Sequence, residues 1–280
     1  MLGRTEIREL LDRHGIEARR SLGQNFVVDP NTVRSIARLA VVGPGDRVVE
    51  VGPGLGSLTL ALAETGADVL ALEKDRTLLP VLDDVIGSAG SASTVRVVEG
   101  DALVIDWSDL LGTESWVLVA NLPYNVAVPV LMHVLATAPQ VRRLVVMVQL
   151  EVAERLCATA GSKTIGIPTI KVAWYGAARI VARIGPEVFV PRPRVSSAVV
   201  GIVRRPPPSE LVGTDDVFPL VERAYRQRRK MLRSTLGDVV GAAEFDAARI
   251  DPQDRPERLG LDDWVRLAEV LATSQSADPT

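Results

Sequence analysis

Short apolar runs alternate with amphipathic segments along most of the chain. The apolar runs are rich in Val, Leu and Ala and predict strands at 47–51, 68–72, 95–99, 116–120 and 142–150, of which 116–120 is predicted to be buried. Segments with apolar residues at helical spacing predict helices at 4–20, 30–40, 57–65, 76–88, 129–137 and 151–160. Strands that alternate with helices in this way are typical of an α/β domain with a largely parallel sheet.

The pattern changes in the last third of the sequence. Apolar stretches at 173–181 and 199–203 predict two more strands, and the residues beyond 206 show only helical periodicity. Three consecutive prolines in Arg204–Ser209 predict a linker. We therefore predict two domains, a sheet domain at residues 1–205 and a small all-helical domain at residues 206–280.

A glycine-rich turn follows the first of these strands. Gly52-Pro53-Gly54-Leu55-Gly56 leads directly into a predicted helix, which is how the first unit of a nucleotide-binding α/β fold begins. The free N–H groups at such a helix start can bind an anion such as a carboxylate. The dinucleotide fingerprint requires its third glycine where this chain has Ser57, so a nicotinamide-dependent enzyme is the weakest alternative.

Polar residues end the next three strands. Glu73 lies twenty-one residues after Gly52, a spacing typical of a carboxylate that holds ribose hydroxyls. Asp101 could accept from an adenine amino group or could simply cap a helix. Asn121 ends the fourth strand. Because the carboxyl ends of parallel strands form one crevice, the four positions together predict an adenosine-containing cofactor.

The fourth strand leads into the turn Asn121-Leu122-Pro123-Tyr124. The Asn121 side chain and the main chain of Leu122 offer carbonyl acceptors, and Tyr124 offers an aromatic face. Acceptors beside an aromatic face suit the exocyclic amine of a flat base. Asn and Pro are also common turn residues, and the neighbouring cofactor crevice favours the functional interpretation.

Size and composition indicate the cellular compartment and whether a metal is bound. The 280 residues contain no apolar run near the about 18 residues of a membrane span, and the N-terminus lacks the apolar core of a signal peptide. The single Cys157 cannot form an internal disulfide, which agrees with a reducing compartment. We therefore expect a cytoplasmic protein. His14 and His133 have no neighbouring ligand cluster in sequence, so we predict no metal.

The charge distribution favours a nucleic-acid partner more than the net charge of −3 does. Residues 179–233 carry twelve Arg or Lys against five Asp or Glu, whereas residues 234–280 carry four against ten. The first helix after the linker is predicted to carry six basic residues, namely Arg223, Arg226, Arg228, Arg229, Lys230 and Arg233. A basic stretch is often only a solvated surface, but this density favours contact with phosphates.

Seven motifs in this order resemble the ribosomal RNA small-subunit adenine N6,N6-dimethyltransferases of the kasugamycin-resistance type. They are Leu22-Gly-Gln-Asn-Phe26, Glu50-Val-Gly-Pro-Gly54, Glu73-Lys-Asp75, Gly100-Asp-Ala102, Asn121-Leu-Pro-Tyr124, Pro191 to Val199, and Gln227-Arg-Arg-Lys-Met-Leu-Arg233. The match runs from about Arg19 to about residue 265. Each motif alone has low specificity, whereas the set in this order and spacing is highly specific.

The resemblance implies a Rossmann-like methyltransferase domain that uses S-adenosylmethionine, followed by a helical RNA-binding domain. The implied reaction is dimethylation of N6 on two adjacent adenosines in a hairpin loop near the 3′ end of 16S rRNA, during biogenesis of the small ribosomal subunit. The implied cofactor contacts are Asn25, the backbone of Val27, Gly52, Glu73, Asp101 and Asn121. The implied contacts with RNA are Tyr124, Phe189, Arg194, Arg228, Arg229 and Lys230.

Two positions depart from the family pattern. Leu150 follows Gln149 where a Lys is usual, and Ile165 replaces an aromatic residue in the segment Gly161–Gly166. Both positions lie near the expected RNA-binding side, so they affect the expected contacts with RNA and leave the methyl-transfer residues unchanged. We expect a monomer that binds the small subunit.

Two alternatives remain open at this point. One is a large-subunit ribosomal RNA adenine N6-methyltransferase of the antibiotic-resistance type, which shares the cofactor motifs and the Asn-x-Pro-Tyr turn. The other is a non-catalytic RNA-binding assembly factor, against which intact Glu73, Asp101 and Asn121 argue.

Overall fold

The apolar runs form a sheet in the computed structural model, which describes residues 1–16 and 24–276. The strands are β1 (Phe26–Val27), β2 (Arg47–Val51), β3 (Asp68–Glu73), β4 (Val95–Glu99), β5 (Trp116–Asn121), β6 (Val141–Gln149), β7 (Gly176–Ile184), β8 (Phe189–Val190) and β9 (Ser197–Arg204). Seven of them form one sheet in the order β4-β3-β2-β5-β6-β9-β7, and β1 pairs with β8 separately. Strands β2 to β6 pair in parallel, whereas β9 is antiparallel to β6. The predicted Rossmann-like α/β fold is confirmed.

Helices separate the strands and continue after them. They are α1 (Arg4–Arg13), α2 (Pro30–Ala40), α3 (Ser57–Ala63), α4 (Leu79–Ser88), α5 (Trp107–Leu111), α6 (Ala127–Thr137), α7 (Leu150–Leu156), α8 (Ile167–Tyr175), α9 (Thr214–Arg226), α10 (Leu232–Leu236), α11 (Ala242–Ala247) and α12 (Leu261–Ser276). The start of α2 shows why such boundaries form. The Asp29 carboxylate accepts the Thr32 N–H at 2.9 Å, and Pro30 occupies the first turn.

The centre of the sheet is covered on both faces. Four successive residues of β2, Val48 to Val51, are all buried, although neighbouring side chains of a strand point to opposite faces. The apolar faces of α2 and α3 pack in one cluster with Val48, Val69 and Val119. Strands buried on both faces have near-continuous apolar sequences, which is why they were visible as runs.

The parallel register brings four strand ends to one edge of the sheet. Val51 of β2 pairs with Leu72 of β3 and with Ala120 of β5. Glu73, the last residue of β3, pairs with Glu99, the last residue of β4. The residues that follow these positions therefore surround a common crevice.

The chain divides into two compact units. The first contains Met1–Ala153 and Ala178–Arg204, and the second contains Glu154–Ala177 and the chain from Arg205 onward. The predicted boundary at 205/206 lies one residue after the last crossing between the units, but the segment 154–177 groups with the helices that follow Arg205. It does so because Ile165, Ile170 and Trp174 belong to the same apolar cluster as helices α9 to α12.

One predicted strand begins at a different place. The sequence predicted a strand at 173–181, whereas α8 extends to Tyr175 and β7 starts at Gly176. The Trp174 ring is 4% exposed and meets Phe218 of α9 edge to face, with 5.9 Å between the ring centroids. Burial in the helical unit therefore favours a helix in a segment whose apolar residues fit either type of element. The predicted helix at 4–20 ends at Arg13, and residues 17–20 lie outside the described residues.

The last residue of β9 is part of the sheet rather than of a linker. The Arg204 guanidinium donates to the carbonyl oxygens of Val141 and Leu135 at 2.9 Å and of Ala138 at 3.1 Å. Two of these acceptors lie at the C-terminal end of α6, where carbonyl groups lack partners within the helix. Arg204 thereby joins α6 to the sheet.

Candidate active site

The glycine-rich turn after β2 has a backbone that other residues could not adopt without strain. Gly52 and Gly54 have φ angles of +69° and +59°. A Cβ atom at Gly54 would lie 3.1 Å from the Phe26 ring, whereas one at Gly52 would meet no atom within 4 Å. The main chain at Gly52 is thus open to the crevice and can approach a ligand closely.

Glu73 is held by two backbone N–H groups. Its carboxylate accepts the Gly54 N–H at 3.0 Å through Oε2 and the Asp75 N–H at 2.8 Å through Oε1. The side chain is buried, and this burial raises its pKa. Each oxygen keeps a further lone pair, so the fixed carboxylate can accept two more donors such as a pair of hydroxyls.

Asp101 follows β4 and is also held in place. Its Oδ1 accepts the Leu103 N–H at 3.0 Å, and Lys74 Nζ lies 2.7 Å from Oδ2. Partial burial opposes ionisation of Asp101, but the bonds from Lys74 and Leu103 outweigh it and lower its pKa. Asp101 is therefore an ionised acceptor. The ion pair between Lys74 and Asp101 was not predicted from the sequence.

Glu50 is a buried acid that we did not predict as a site residue. It lies in β2, is 1% exposed and accepts the Thr59 hydroxyl at 2.6 Å. Burial raises its pKa to about 8, although the Thr59 bond acts in the opposite direction and Glu73 adds to the rise. The available signal was an acidic residue inside an otherwise apolar strand.

The turn after β5 is tied to its surroundings at three points. Asn121 Nδ2 donates to the carbonyl of Asn25 at 3.1 Å, and the Leu122 N–H donates to the Met147 carbonyl at 3.1 Å. The Tyr124 hydroxyl lies 2.7 Å from the Ser197 hydroxyl. Because the Asn121 amide nitrogen faces Asn25, its Oδ1 points to the opposite side of the carboxamide.

These elements enclose one cleft of about 490 Å³, a volume typical of small-molecule sites. Eight of the predicted cofactor and catalytic residues line it, namely Asn25, Val27, Gly52, Glu73, Asp101, Asn121, Leu122 and Tyr124. Glu50 and Lys74 line it as well. The convergence predicted from strand ends is therefore present. Leu22 and Gly23 of the first motif lie outside the described residues.

Phe189 does not lie where a base could stack on it. Its ring is 1% exposed, and β8 holds it against β1 with Phe189 paired to Val27. The ring belongs to the apolar cluster formed by α2 and α3. A residue before a proline-rich loop can either end a buried strand or contact a base at the surface. The burial of Phe189 shows that it ends a strand. Arg194 of the same loop is exposed.

The basic residues near 230 form a turn rather than a helix. Helix α9 ends at Arg226, and Arg228, Arg229 and Lys230 follow as exposed residues. Arg228 lies 3.7 Å from the Glu257 carboxylate. The predicted single helix is thus wrong, and the three cations lie on a surface turn of the helical unit.

Membrane-spanning helices and metal-binding clusters are both absent from the described residues. None of the helices that the structure describes is both long and apolar enough to cross a membrane. Within residues 1–16 and 24–276, no group of three or more His, Cys, Asp or Glu side chains could hold a metal ion.

Comparisons with known proteins place these features in context. A model of the family "Ribosomal RNA adenine dimethylase" matches residues 15–273. The chain is 48% identical to the "Ribosomal RNA small subunit methyltransferase A" of Kineococcus radiotolerans, over 96% of this chain and 91% of that one. It is 49% identical to the protein of the same name from Cutibacterium acnes, over 97% and 95% of the two chains.

Solved structures with lower sequence identity share the fold. A dimethyladenosine transferase from Plasmodium falciparum superposes with a TM-score of 0.72 at 22% identity, over 86% of this chain and 95% of that one. The 23S rRNA methyltransferase ErmE superposes with a TM-score of 0.68 at 24% identity, over 88% and 99% of the two chains.

Proposed function

Because the chain belongs to the ribosomal RNA adenine dimethylase family, we propose that it transfers methyl groups from S-adenosylmethionine to N6 of adenosine in small-subunit ribosomal RNA. The target is two adjacent adenosines in a hairpin loop near the 3′ end of 16S rRNA, methylated during biogenesis of the small subunit. The observation that carries the proposal is the single cleft in which Gly52, Glu73, Asp101 and Asn121 meet.

The cleft residues fit this cofactor. The open main chain at Gly52 leaves room for the methionine part of the cofactor, and Glu73 retains lone pairs for two ribose hydroxyls. Asp101 is an ionised acceptor for an adenine amino group. Asn25 and the backbone of Val27 line the same cleft and complete the contacts. When bound, S-adenosylmethionine supplies a methyl group activated by a sulfonium centre.

The turn after β5 acts on the target base. An adenosine in a stacked loop must leave its stack, which costs a few kcal/mol. Stacking on Tyr124 recovers roughly 1–3 kcal/mol of this. The Asn121 Oδ1 and the Leu122 carbonyl accept the two N6 hydrogens, which fixes the nitrogen lone pair toward the cofactor.

The same two oxygens stabilise the reaction as it proceeds. Positive charge develops on N6 during methylation, and carbonyl dipoles held in place stabilise it without reorganisation. The surplus proton then leaves to water, so no carboxylate base is required. A second transfer needs only room for one methyl group beside N6.

The two units have different functions in this proposal. The first unit contains the cleft and is the catalytic domain. The helical unit binds RNA through the exposed turn Arg228–Lys230, and Arg194 adds a contact from the loop before β9. The protein acts as a cytoplasmic monomer on the small subunit. Sedimentation of the free protein and of its complex with small subunits tests this stoichiometry.

The names of the relatives at 48–49% identity favour the small subunit over the large-subunit alternative. Incubation with radiolabelled S-adenosylmethionine and unmethylated subunits of each kind tests the choice. We expect label in small subunits alone, with about four methyl groups per subunit since each of two adenosines takes two, and the label maps to one hairpin loop. Label in 23S rRNA, or cofactor binding without any transfer, contradicts the proposal.

A further inference from the structure

Ser197 is a buried hydroxyl residue at the first position of β9. It is 0% exposed, and its Oγ lies 2.7 Å from the hydroxyl oxygen of Tyr124, which is 73 positions earlier in the chain. The two hydroxyls share a hydrogen bond. Tyr124 is half-buried and lines the cleft, whereas Ser197 does not line it.

Strand β6 holds both partners of this bond. On one side Gln149 pairs with Ser197 in the ladder between β6 and β9. On the other side Asn121 pairs with Met147, and the Leu122 N–H donates to the Met147 carbonyl at 3.1 Å. The turn that contains Tyr124 and the strand that contains Ser197 are therefore fixed to the same strand. Ser197 cannot move away from the turn without breaking the ladder.

This bond fixes the orientation of the Tyr124 ring. A tyrosine side chain held only through its Cβ can turn about two torsions, and its ring can face several directions. Because the hydroxyl oxygen lies on the axis of the second torsion, a bond there fixes the first torsion and the place of the ring. Hydrogen bonds to a phenol oxygen lie close to the ring plane, so the bond also favours one ring plane. Because buried polar groups require partners, the buried Ser197 hydroxyl also holds Tyr124 against rotation into solvent.

We propose that Ser197 is a positioning residue for methyl transfer, and that it holds the aromatic face of Tyr124 in the orientation that receives the target adenine. The inference rests on the proposed function, because it assumes that the base stacks on Tyr124. It adds a residue outside the cleft, which acts through Tyr124 and touches neither cofactor nor RNA.

The ring geometry can be tested without catalysis. The chain has only three tyrosines, so protein with ¹³C-labelled tyrosine rings gives a small spectrum in which Tyr124→Phe assigns the Tyr124 signals. We expect Ser197→Ala to shift and broaden the Tyr124 signals and to leave those of Tyr175 and Tyr225 unchanged. Ser196→Ala is the matched control, because this neighbouring serine is half-buried and its hydroxyl has no partner among the described residues.

Kinetics on unmethylated small subunits test the consequence. We expect Ser197→Ala to lower kcat about tenfold, the equivalent of one hydrogen bond, with KM for subunits changed by less than about twofold. The cofactor Kd, measured by calorimetry, stays the same, since Ser197 does not line the cleft. Ser197→Thr, which keeps the hydroxyl, restores the rate.

Tyr124→Phe provides an independent route, because it removes the bond without altering the buried strand. We expect it to reproduce the loss of kcat, and Ser197→Ala to add nothing in the Tyr124→Phe background. Full activity of either variant, or unchanged Tyr124 signals in Ser197→Ala, overturns the positioning role. If the unaltered protein methylates no adenosine while the ring signals still move, the proposed function fails and the bond stands.

Discussion

At the scale of single residues, the most consequential side chain is that of Asn121. Its amide nitrogen is committed to the Asn25 carbonyl, so its oxygen is oriented before any base arrives. We expect Asn121→Ala to lower methyl transfer by at least about 10²-fold, since a preorganised group that stabilises developing charge is lost. Single-turnover transfer to small subunits measures this.

Measuring RNA affinity distinguishes a catalytic role of Asn121 from an effect of its substitution on folding. A filter-binding Kd within about twofold of the unaltered protein is expected for Asn121→Ala, because phosphate contacts dominate affinity. Asn31→Ala, at an exposed position of α2, is the control for an asparagine outside the cleft. Near-normal turnover of the Asn121 variant contradicts the assigned role.

Glu50 gives a prediction about pH. Burial raises its pKa to about 8 in the folded chain from an ordinary value of 4.5, so the folded state holds a proton that the unfolded state releases. Stability from this group is fully present below about pH 4.5 and is lost as pH rises through about 8. We expect Glu50→Gln to remove this pH-dependent loss in the free energy of unfolding, which is on the order of a few kcal/mol.

Thermal unfolding of the cofactor-free protein between pH 5 and pH 8.5 measures the effect. The difference in melting temperature between Glu50→Gln and the unaltered protein should grow in favour of the variant as pH rises. Glu9→Gln, at an exposed position of α1, should follow the unaltered protein throughout. Parallel curves for the Glu50 variant and the unaltered protein would mean that Glu50 is ionised in the fold.

At the scale of elements, Arg204 connects α6 with the sheet. Its guanidinium donates to carbonyl groups at the end of that helix and at the start of β6. We expect Arg204→Met to cost about 2–4 kcal/mol, because several partly buried acceptors lose their donor. The melting temperature should fall by about 5–10 °C.

A second arginine serves as the control for that measurement. Arg192→Met alters an exposed side chain that has no partner among the described residues, and it should leave the melting temperature within about 1 °C. An equal fall in both variants would show that charge, rather than the bonds of Arg204, stabilises the unit.

The sequence predicted elements best where burial is continuous on both faces. Strands β2, β3 and β5 follow this rule and were found within one residue of their ends. Strand β4 lies at the sheet edge and was also found, although none of its residues is buried, and the residues at all four ends meet in the cleft as expected. The prediction was poorest at 173–175, where Trp174 is apolar in either a helix or a strand. Its burial in the apolar cluster of the helical unit, where it contacts Phe218, decides between them, and no local pattern encodes that burial.

The site was predicted in the same uneven way. Glu73 and Asn121 follow from their places at strand ends. Partners from distant parts of the chain, such as Ser197 for Tyr124 and Lys74 for Asp101, depend on the fold and were not visible. The predicted contact of Phe189 with a base was wrong, because the pairing of Phe189 with Val27 places its ring in the core.

At the scale of the whole molecule, the proposal that RNA contacts the exposed turn Arg228–Lys230 predicts how binding depends on salt. Replacing Arg228, Arg229 and Lys230 by Gln should weaken RNA binding and reduce the slope of log K against log salt by about 2–3, since each lost phosphate contact removes about 0.7–0.9. Binding to small-subunit RNA at several salt concentrations measures the slope.

Three exposed arginines of the first unit offer a matched control. Arg8, Arg13 and Arg38 lie on α1 and α2, and their replacement by Gln removes the same charge. We expect their slope to stay close to that of the unaltered protein. Equal slopes for both triple variants would assign the effect to total charge instead of to this turn.

The path of the chain between the units limits how the protein can be divided. The segment Glu154–Ala177 leaves the first unit, joins the helical unit and returns, so the polypeptide crosses three times. In a fragment that ends at residue 205, the side chains of Ile165, Ile170 and Trp174 would be exposed, because the apolar residues that cover them lie after residue 205. We expect such a fragment to aggregate. For the same reason, we expect a chimera that takes only the residues after 205 from a relative to be less stable than either parent.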